Sequence, residues 1–194
     1  MADSIFQKVE YEAFRKGIAP RTAQSRDWFQ NRLKDMKNIN RQSLLKDEAL
    51  KKRQRFGIGN MYMFFYDAKH RKTLPYYDMF PLTIMVGPAP GGFYGLNLHY
   101  LPIKLRATLF DRLLETTNNK RYDESTKFKL NYQILQSVNK LSAYKPCFKH
   151  YLTSQVDSSI VLVEPPEWEI AVFLPTEHFT KSTRTVWADS RKKI

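Results

Sequence analysis

The sequence predicts an α+β fold in which a small SH3-like β-barrel, or a compact antiparallel sheet, is flanked by helices on both sides. Six of the seven glycines lie within residues 57–100, where aromatic runs are interrupted by Pro and Gly at the points where a small barrel would turn. The segments before and after this region repeat apolar residues at helical spacing. The chain therefore divides into a basic helical region (1–56), a β-rich aromatic core module (57–101), a helical region with a late strand packed on the core (102–175) and a C-terminal arm (176–194).

Two helices are predicted in the basic N-terminal region, after a weakly amphipathic lead-in over residues 1–19. The first helix covers residues 20–36, because Pro20 suits an initial helical turn and apolar residues follow at spacings of three and four. The second covers residues 41–55, and its last turn places cations where the helix dipole favours them.

Three strands are predicted in the core module. Residues 60–67 are too aromatic for a surface helix and suit a strand that is covered on both faces. Residues 82–86 and 93–100 form the second and third strands, joined by a turn rich in Pro and Gly. Gly95 inside the third strand indicates a bulge or a close approach of another backbone segment.

Helices resume after the core module. Broad apolar stripes predict one helix from residue 103 to about residue 118 and another over residues 124–143. A late strand is predicted at 158–163, followed by a short helix at 164–173 that begins with prolines and acids. The polar arm, residues 176–194, is expected to become ordered on a neighbouring subunit.

The net charge of +13 is concentrated in the two helical regions. Residues 1–56 hold 14 Lys and Arg against 7 Asp and Glu, and residues 101–157 hold 10 against 5. Residues 57–100 hold 3 against 2, and residues 158–194 hold 5 against 5. A basic surface attracts phosphate backbones through counterion release and also steers binding to acidic proteins. Charge alone does not separate these two classes of partner.

The sequence contains no recognisable reaction centre, cofactor site or metal site. The four histidines are scattered, without the spacing that puts two imidazoles on one helix face. The turn at 87–92 lacks the lysine and hydroxyl of a phosphate-binding loop. Asp67 and Asp78, with Lys69 or Lys72, form a crude nuclease set whose spacing matches no nuclease motif. The chain is therefore expected to have no cofactor and not to be an enzyme.

Two further features limit the class of protein. No segment has about 18 or more consecutive apolar residues, so no membrane span is predicted. The single cysteine, Cys147, cannot form an internal disulfide, which fits a reducing compartment. Its expected role is that of a small buried hydrophobic residue.

The one pattern in the sequence that indicates a function is the interleaving of basic and aromatic residues. The loop over residues 69–72 is cationic and precedes Tyr76 and Tyr77, an arrangement that offers cations to phosphates and rings to bases. A solvated loop beside a buried aromatic core is the alternative interpretation. The residues predicted to contact a partner or nucleic acid are Arg41, Lys46, Lys51, Lys52, Arg53, Arg55, Lys69, Arg71, Lys72, Tyr76, Tyr77, Trp187, Arg191 and Lys192.

Several stretches of the chain resemble a family of small proteins encoded by T4-like tailed phages. These stretches are residues 61–67, 74–78, 92–102 and 186–193, and GGFYGLNLHYLP is the most specific of them. The likeness covers residues 40–194. It implies a phage context, and no catalytic residue carries over from it.

The leading hypothesis is a non-catalytic structural protein of a tailed-phage virion, in the tail, baseplate or neck. It implies other phage structural proteins as partners, a multi-copy or homo-oligomeric subunit, and a location in the virion and, during assembly, in the host cytoplasm. The alternative is a basic DNA-binding protein that handles genome ends or recombination intermediates, with DNA as its partner. A metal-dependent nuclease is a third and weaker hypothesis.

Overall fold

The centre of the protein is a single open antiparallel sheet. A computed structural model of the chain describes residues 3–36, 39–117, 121, 123–138, 140 and 142–192. The strands are β1 (Lys52–Arg53), β2 (Met61–Met63), β3 (Leu82–Ala89), β4 (Gly92–Asn97), β5 (Phe148–Leu152) and β6 (Ile160–Val163). Their order across the sheet is β1-β6-β2-β3-β4-β5, and every neighbouring pair is antiparallel. The predicted α+β class is confirmed, but the SH3-like barrel is not, because β1 and β5 lie at opposite edges of the sheet.

The central strand β2 is covered on both faces, as its aromatic sequence predicts. Met61 lies opposite Ile84 of β3 and Val163 of β6. Because successive side chains of a strand point to opposite faces, Met61 and Met63 join one apolar layer and Tyr62 joins the other. Helices cover the first layer, and loops cover the second.

Seven α-helices are present among the described residues. They are α1 (Ile5–Arg15), α2 (Ala23–Lys34), α3 (Arg41–Lys46), α4 (Ile103–Thr117), α5 (Glu124–Val138), α6 (Trp168–Phe173) and α7 (Thr183–Lys192). Short 3-10 turns occupy Leu98–Tyr100, Ser142–Cys147, Thr153–Gln155 and Pro165–Glu167. In the described part of the chain, none of the helices has the length and apolar character needed to cross a bilayer.

Reciprocal side-chain caps start the first two helices. Ser4 donates its main-chain amide to the Gln7 side chain at 2.8 Å, and the Gln7 amide donates to the Ser4 hydroxyl at 3.1 Å. Thr22 and Ser25 make the same exchange at 2.9 and 3.1 Å. The predicted lead-in over residues 1–19 therefore contains a complete helix, α1, and the helix predicted at 20–36 corresponds to α2.

The helix predicted over residues 41–55 is wrong beyond Lys46. The Asp47 side chain accepts a hydrogen bond from the Ala49 amide at 2.9 Å, and such a turn draws the backbone out of the helix. Lys52 and Arg53 then pair with β6 as the edge strand β1. Lys52 and Arg53 consequently lie on a sheet edge and not at a helix C-terminus.

The segment assigned to a C-terminal arm contains α7, which packs on the remainder of the chain. Val186 is fully buried, and the Trp187 indole N–H donates to the His99 carbonyl oxygen at 2.8 Å. The Arg106 guanidinium lies 5.4 Å from the centre of the Trp187 ring, a cation–π contact.

The fully buried side chain of Arg106 joins this helix to the core. It donates to the main-chain oxygens of Leu101 at 2.8 Å and of His99 at 3.3 Å, and it pairs with Glu177. Burial alone would raise the pKa of Glu177, but the positive charge of Arg106 leads the effects that lower it overall. These contacts fix the positions of the segments that surround the candidate site.

Candidate nucleic-acid interface

A cavity of about 530 Å³ opens along β5, at one edge of the sheet. Its opposite wall is the segment that follows β2. The lining consists of aromatic rings and cations with few other groups: Tyr66, Ala68, Lys69, His70, Leu74, Tyr76, Tyr77, Asp78, Tyr100, Phe148, Lys149, His150, Tyr151 and Leu152. Rings that can stack on bases, combined with cations that can meet phosphates, are typical of sites for single-stranded nucleic acid.

Asp67 holds the basic loop that forms one side of this cavity. Its carboxylate accepts a hydrogen bond from the Tyr77 hydroxyl at 3.0 Å and pairs with Arg71. The turns between these residues leave Lys69 and Lys72 exposed. The loop therefore presents cations to solvent while its base is fixed.

The carboxylate of Asp78 joins three segments beneath the cavity and is only 3% exposed. One oxygen accepts the main-chain amides of Phe80 at 3.0 Å and His178 at 3.2 Å. The other accepts the side-chain amide of Asn97 at 3.0 Å and lies 2.7 Å from Nδ1 of His99. The cavity wall, the end of β4 and the segment before α7 thus meet at one side chain.

This carboxylate is ionised at neutral pH. Burial by itself would raise the pKa of Asp78, but the charge and hydrogen bond of His99, with the Asn97 amide, lower it overall. Because its oxygens accept four internal hydrogen bonds, its negative charge is compensated inside the protein.

The tyrosines of the cavity keep their protons at neutral pH. Burial is the largest cause that raises the pKa of each of Tyr66, Tyr76, Tyr77, Tyr100 and Tyr151. Neutral phenols add no negative charge beside the cations of the loop. The lining is therefore compatible with an anionic ligand.

Strand β5 supplies the second wall. The Lys149 ammonium lies 3.9 Å from the centre of the Tyr100 ring, and Tyr151 stacks on Phe93 with the ring centres 5.3 Å apart. Phe148 is half-buried at the same wall. A cation and rings thus face the cavity from this strand.

Five of the predicted contact residues come together at this site. Lys69, Tyr76 and Tyr77 line the cavity. Arg71 and Lys72 belong to the same loop and line an adjoining cavity of about 500 Å³. The structure thus places the basic and aromatic residues of this pattern on one surface, and their contact with nucleic acid stays a prediction.

Three of the other predicted contact residues are engaged within the protein. The Arg41 guanidinium donates to the carbonyl oxygens of Thr176 at 2.8 Å and Glu177 at 2.5 Å. Lys51 pairs with Glu164 at 2.7 Å. Trp187 likewise serves the packing of α7, as described above.

The remaining predicted cations lie away from the cavity or on a separate element. Lys52 and Arg53 are exposed on β1, five strand spacings from β5, which is about 24 Å. The other exposed cations of the set are Lys46 at the end of α3, Arg55 between β1 and β2, and Arg191 and Lys192 at the end of α7. The predicted set therefore does not form one continuous site.

Sequence reasoning missed the wall formed by β5. Residues 148–151 read Phe-Lys-His-Tyr, the same interleaving of basic and aromatic residues that marks residues 69–77. Their alternation is also compatible with a strand of period two. That pattern was available in the sequence, but its position beside residues 69–77 depends on the sheet order.

The described residues do not assemble an obvious reaction centre. Asp67 and Asp78 are each occupied by the internal hydrogen bonds given above, and no group of three or more His, Cys, Asp or Glu that could hold a metal ion is found in the described ranges. Cys147 is fully buried, and burial raises the pKa of its thiol to about 12.

The chain matches the model of a described protein family. A family model described as phage T4 terminal DNA protecting protein matches residues 1–192. No curated protein and no solved structure matches the chain. The predicted relation to T4-like phages is confirmed. The hypothesis of a structural tail, baseplate or neck component is wrong, because the matching family is described by the protection of DNA termini, which fits the alternative of genome-end handling.

Proposed function

Since the chain belongs to the phage T4 terminal DNA protecting protein family, we propose that it binds the ends of phage DNA and shields them from exonucleases. It acts by occupying the end and breaks no bond in the DNA. An exonuclease must reach the terminal nucleotide, so a protein that covers this nucleotide stops digestion without any catalytic group of its own.

The observation that supports this proposal is the cavity along β5. It combines partly accessible rings, such as Tyr76 and Phe148, with the cations Lys69 and Lys149. A site that recognised only duplex backbone would need cations and hydrogen-bond donors but no cavity lined with rings. Aromatic rings in a cavity can stack only on a base whose face is exposed. In duplex DNA the neighbouring base pairs cover both faces of every base pair except the last one at each end.

The charge distribution supports the same proposal. The net charge of +13 attracts the protein to DNA of any sequence, and added salt weakens this attraction. The loop cations Lys69 and Lys72 are exposed beside the cavity, where phosphates next to a bound end would lie.

Removing the two loop cations is expected to weaken the binding of linear DNA. We expect Lys69→Ala combined with Lys72→Ala to lower affinity about tenfold and to reduce the slope of log affinity against log salt by about 2, because each phosphate contact on duplex contributes about 0.9. The measurement is fluorescence anisotropy of a labelled short duplex between about 50 and 200 mM salt. Resistance of the same duplex to an exonuclease should fall in parallel.

The control is Lys46→Ala combined with Lys52→Ala, which removes the same charge at the other side of the sheet. We expect this control to change the affinity for DNA by less than about twofold, because it reduces only the general attraction between the basic protein and DNA phosphates. Equal losses in the two double variants would contradict the location of the site. Absence of any protection of linear DNA by the unaltered protein would contradict the proposed function itself.

A further inference from the structure

We infer that the cavity along β5 binds an unpaired terminal nucleotide, so that the preferred ligand is a DNA end with a single-stranded extension or a frayed last base pair. This inference rests on the proposed function and defines the form of DNA that the site recognises. It follows from the size of the cavity, from the accessibility of its rings and from the positions of its cations.

The size of the cavity suits a single nucleotide. The cavity has a volume of about 530 Å³. The volume lies within the range of about 300 to 1,000 Å³ that is usual for sites of small organic ligands. A volume in this range accommodates one base with its sugar.

The rings of the cavity fall into two groups with different exposure. Tyr66, Tyr100 and Tyr151 are each more than nine-tenths buried and form the frame. Tyr76 and Tyr77 are half-buried on the loop wall, and Phe148 is half-buried on β5, where its ring also stacks on Tyr94 with the ring centres 5.3 Å apart. An unpaired base stacks on accessible rings without regard to its sequence, which suits a protein that must accept any terminus.

The cations lie where the phosphates of such a nucleotide would emerge. Lys69 belongs to the loop wall and Lys149 belongs to β5, so one cation flanks the cavity on each side. The buried carboxylate of Asp78 is the one acid of the lining, and its charge is compensated by the internal donors described above. The cavity therefore offers rings inside and cations on either side, which complements a nucleotide.

The test compares three DNA hairpins that differ only at their open end: blunt, with a short 5′ extension, or with a short 3′ extension. We expect at least one extended hairpin to bind about tenfold more tightly than the blunt one, because only the blunt end must first unpair its last bases. We expect Tyr76→Leu to remove this preference. The matched control is Tyr11→Leu, since Tyr11 is 62% exposed on α1, outside the lining of the cavity, and its loss should leave the preference unchanged.

A crosslinking measurement on the unaltered protein avoids any effect of Tyr76→Leu on folding. A photoreactive thymine analogue at the last position of the preferred hairpin is expected to label peptides from residues 66–77 or 148–152. Equal affinity for all three hairpins, or crosslinks only at β1 or α3, would overturn the inference while leaving end binding intact. Failure of every hairpin to bind would instead overturn the proposed function.

Discussion

Replacing Asp78 by alanine is expected to destabilise the protein by about 3 to 5 kcal/mol, because the change removes a buried carboxylate and leaves several of its buried donors unpaired. The change leaves the buried ring of His99 without its carboxylate partner and removes one of the two acceptors of the Asn97 side-chain amide, which also donates to the Tyr151 hydroxyl at 3.0 Å. For a chain of this length the loss corresponds to a fall in Tm of roughly 10 °C. Thermal unfolding followed by circular dichroism measures it.

Asp67→Ala is the matched control. Asp67 also accepts a tyrosine hydroxyl and pairs with an arginine, but its side chain is 48% exposed. Pairs with that exposure contribute about 0 to 1 kcal/mol, so the Tm should fall by only a few degrees. Similar losses for the two alanine variants would contradict the assignment of Asp78 as the residue that joins the three segments.

The pH dependence of stability gives a second check on Asp78. Its pKa in the folded protein lies below the ordinary value of about 3.9, so its carboxylate stabilises the fold above that value. This contribution is lost as the pH falls through the lower folded pKa. The difference in stability between the unaltered protein and Asp78→Asn should therefore be largest near neutral pH and shrink below about pH 4. A difference that stays constant in urea unfolding from neutral to acid pH would contradict the ionised state of Asp78.

Gly92→Ala is expected to separate β5 from β4. A Cβ atom at Gly92 would overlap the carbonyl oxygen of Tyr151 and lie 2.8 Å from its carbonyl carbon and 2.9 Å from the Leu152 Cα. These are main-chain atoms that cannot rotate away, so the edge strand itself must move. Overpacking usually costs about 1 to 3 kcal/mol, and we expect the free energy of unfolding to fall by about 3 kcal/mol or more. Because β5 forms one wall of the cavity, affinity for DNA ends should fall about tenfold at temperatures where the protein is still folded.

Gly87→Ala is the control for this change, because a Cβ atom at Gly87 meets nothing within 4 Å. This substitution should leave the free energy of unfolding unchanged or raise it by about 0.4 to 1 kcal/mol, because alanine has less conformational freedom than glycine in the unfolded chain. Hydrogen exchange of residues 148–152 should accelerate in Gly92→Ala alone. Identical exchange, stability and affinity in the two glycine variants would contradict the role given to the β4–β5 pairing.

Local patterns in the sequence predicted most of the central strands and long helices. The aromatic run that begins at Met61 requires two covered faces, and the structure supplies them on either side of β2. The helix predicted over 41–55 was extended too far, because Leu44, Leu45 and Leu50 are buried in the actual structure just as they would be on a helix face. The two-residue strand β1 is exposed and leaves no hydrophobic pattern to detect.

The candidate site could be predicted only in part, for a topological reason. The loop cations and Tyr76 are close in sequence, so their association needed no knowledge of the fold. The wall from β5 lies more than seventy residues later in the chain, and it reaches the loop because β5 takes the edge position next to β4. Tyr100 and the partners of Asp78 likewise come together only through tertiary pairing.

The function could not be predicted from charge. A basic surface is attracted to DNA and to acidic proteins alike, so the sequence permitted both a virion subunit and a DNA-end protein. The family match favours the second, and we propose the cavity along β5 as the place where the DNA end binds.

The most direct measurement is a competition between linear and covalently closed circular DNA of the same sequence for the protein bound to a labelled linear duplex. If the protein recognises termini, unlabelled linear DNA will displace the label, and closed circles will need at least about a tenfold higher nucleotide concentration to do so. Equal competition by the two forms at equal nucleotide concentration would show binding along the duplex and would contradict recognition of DNA ends.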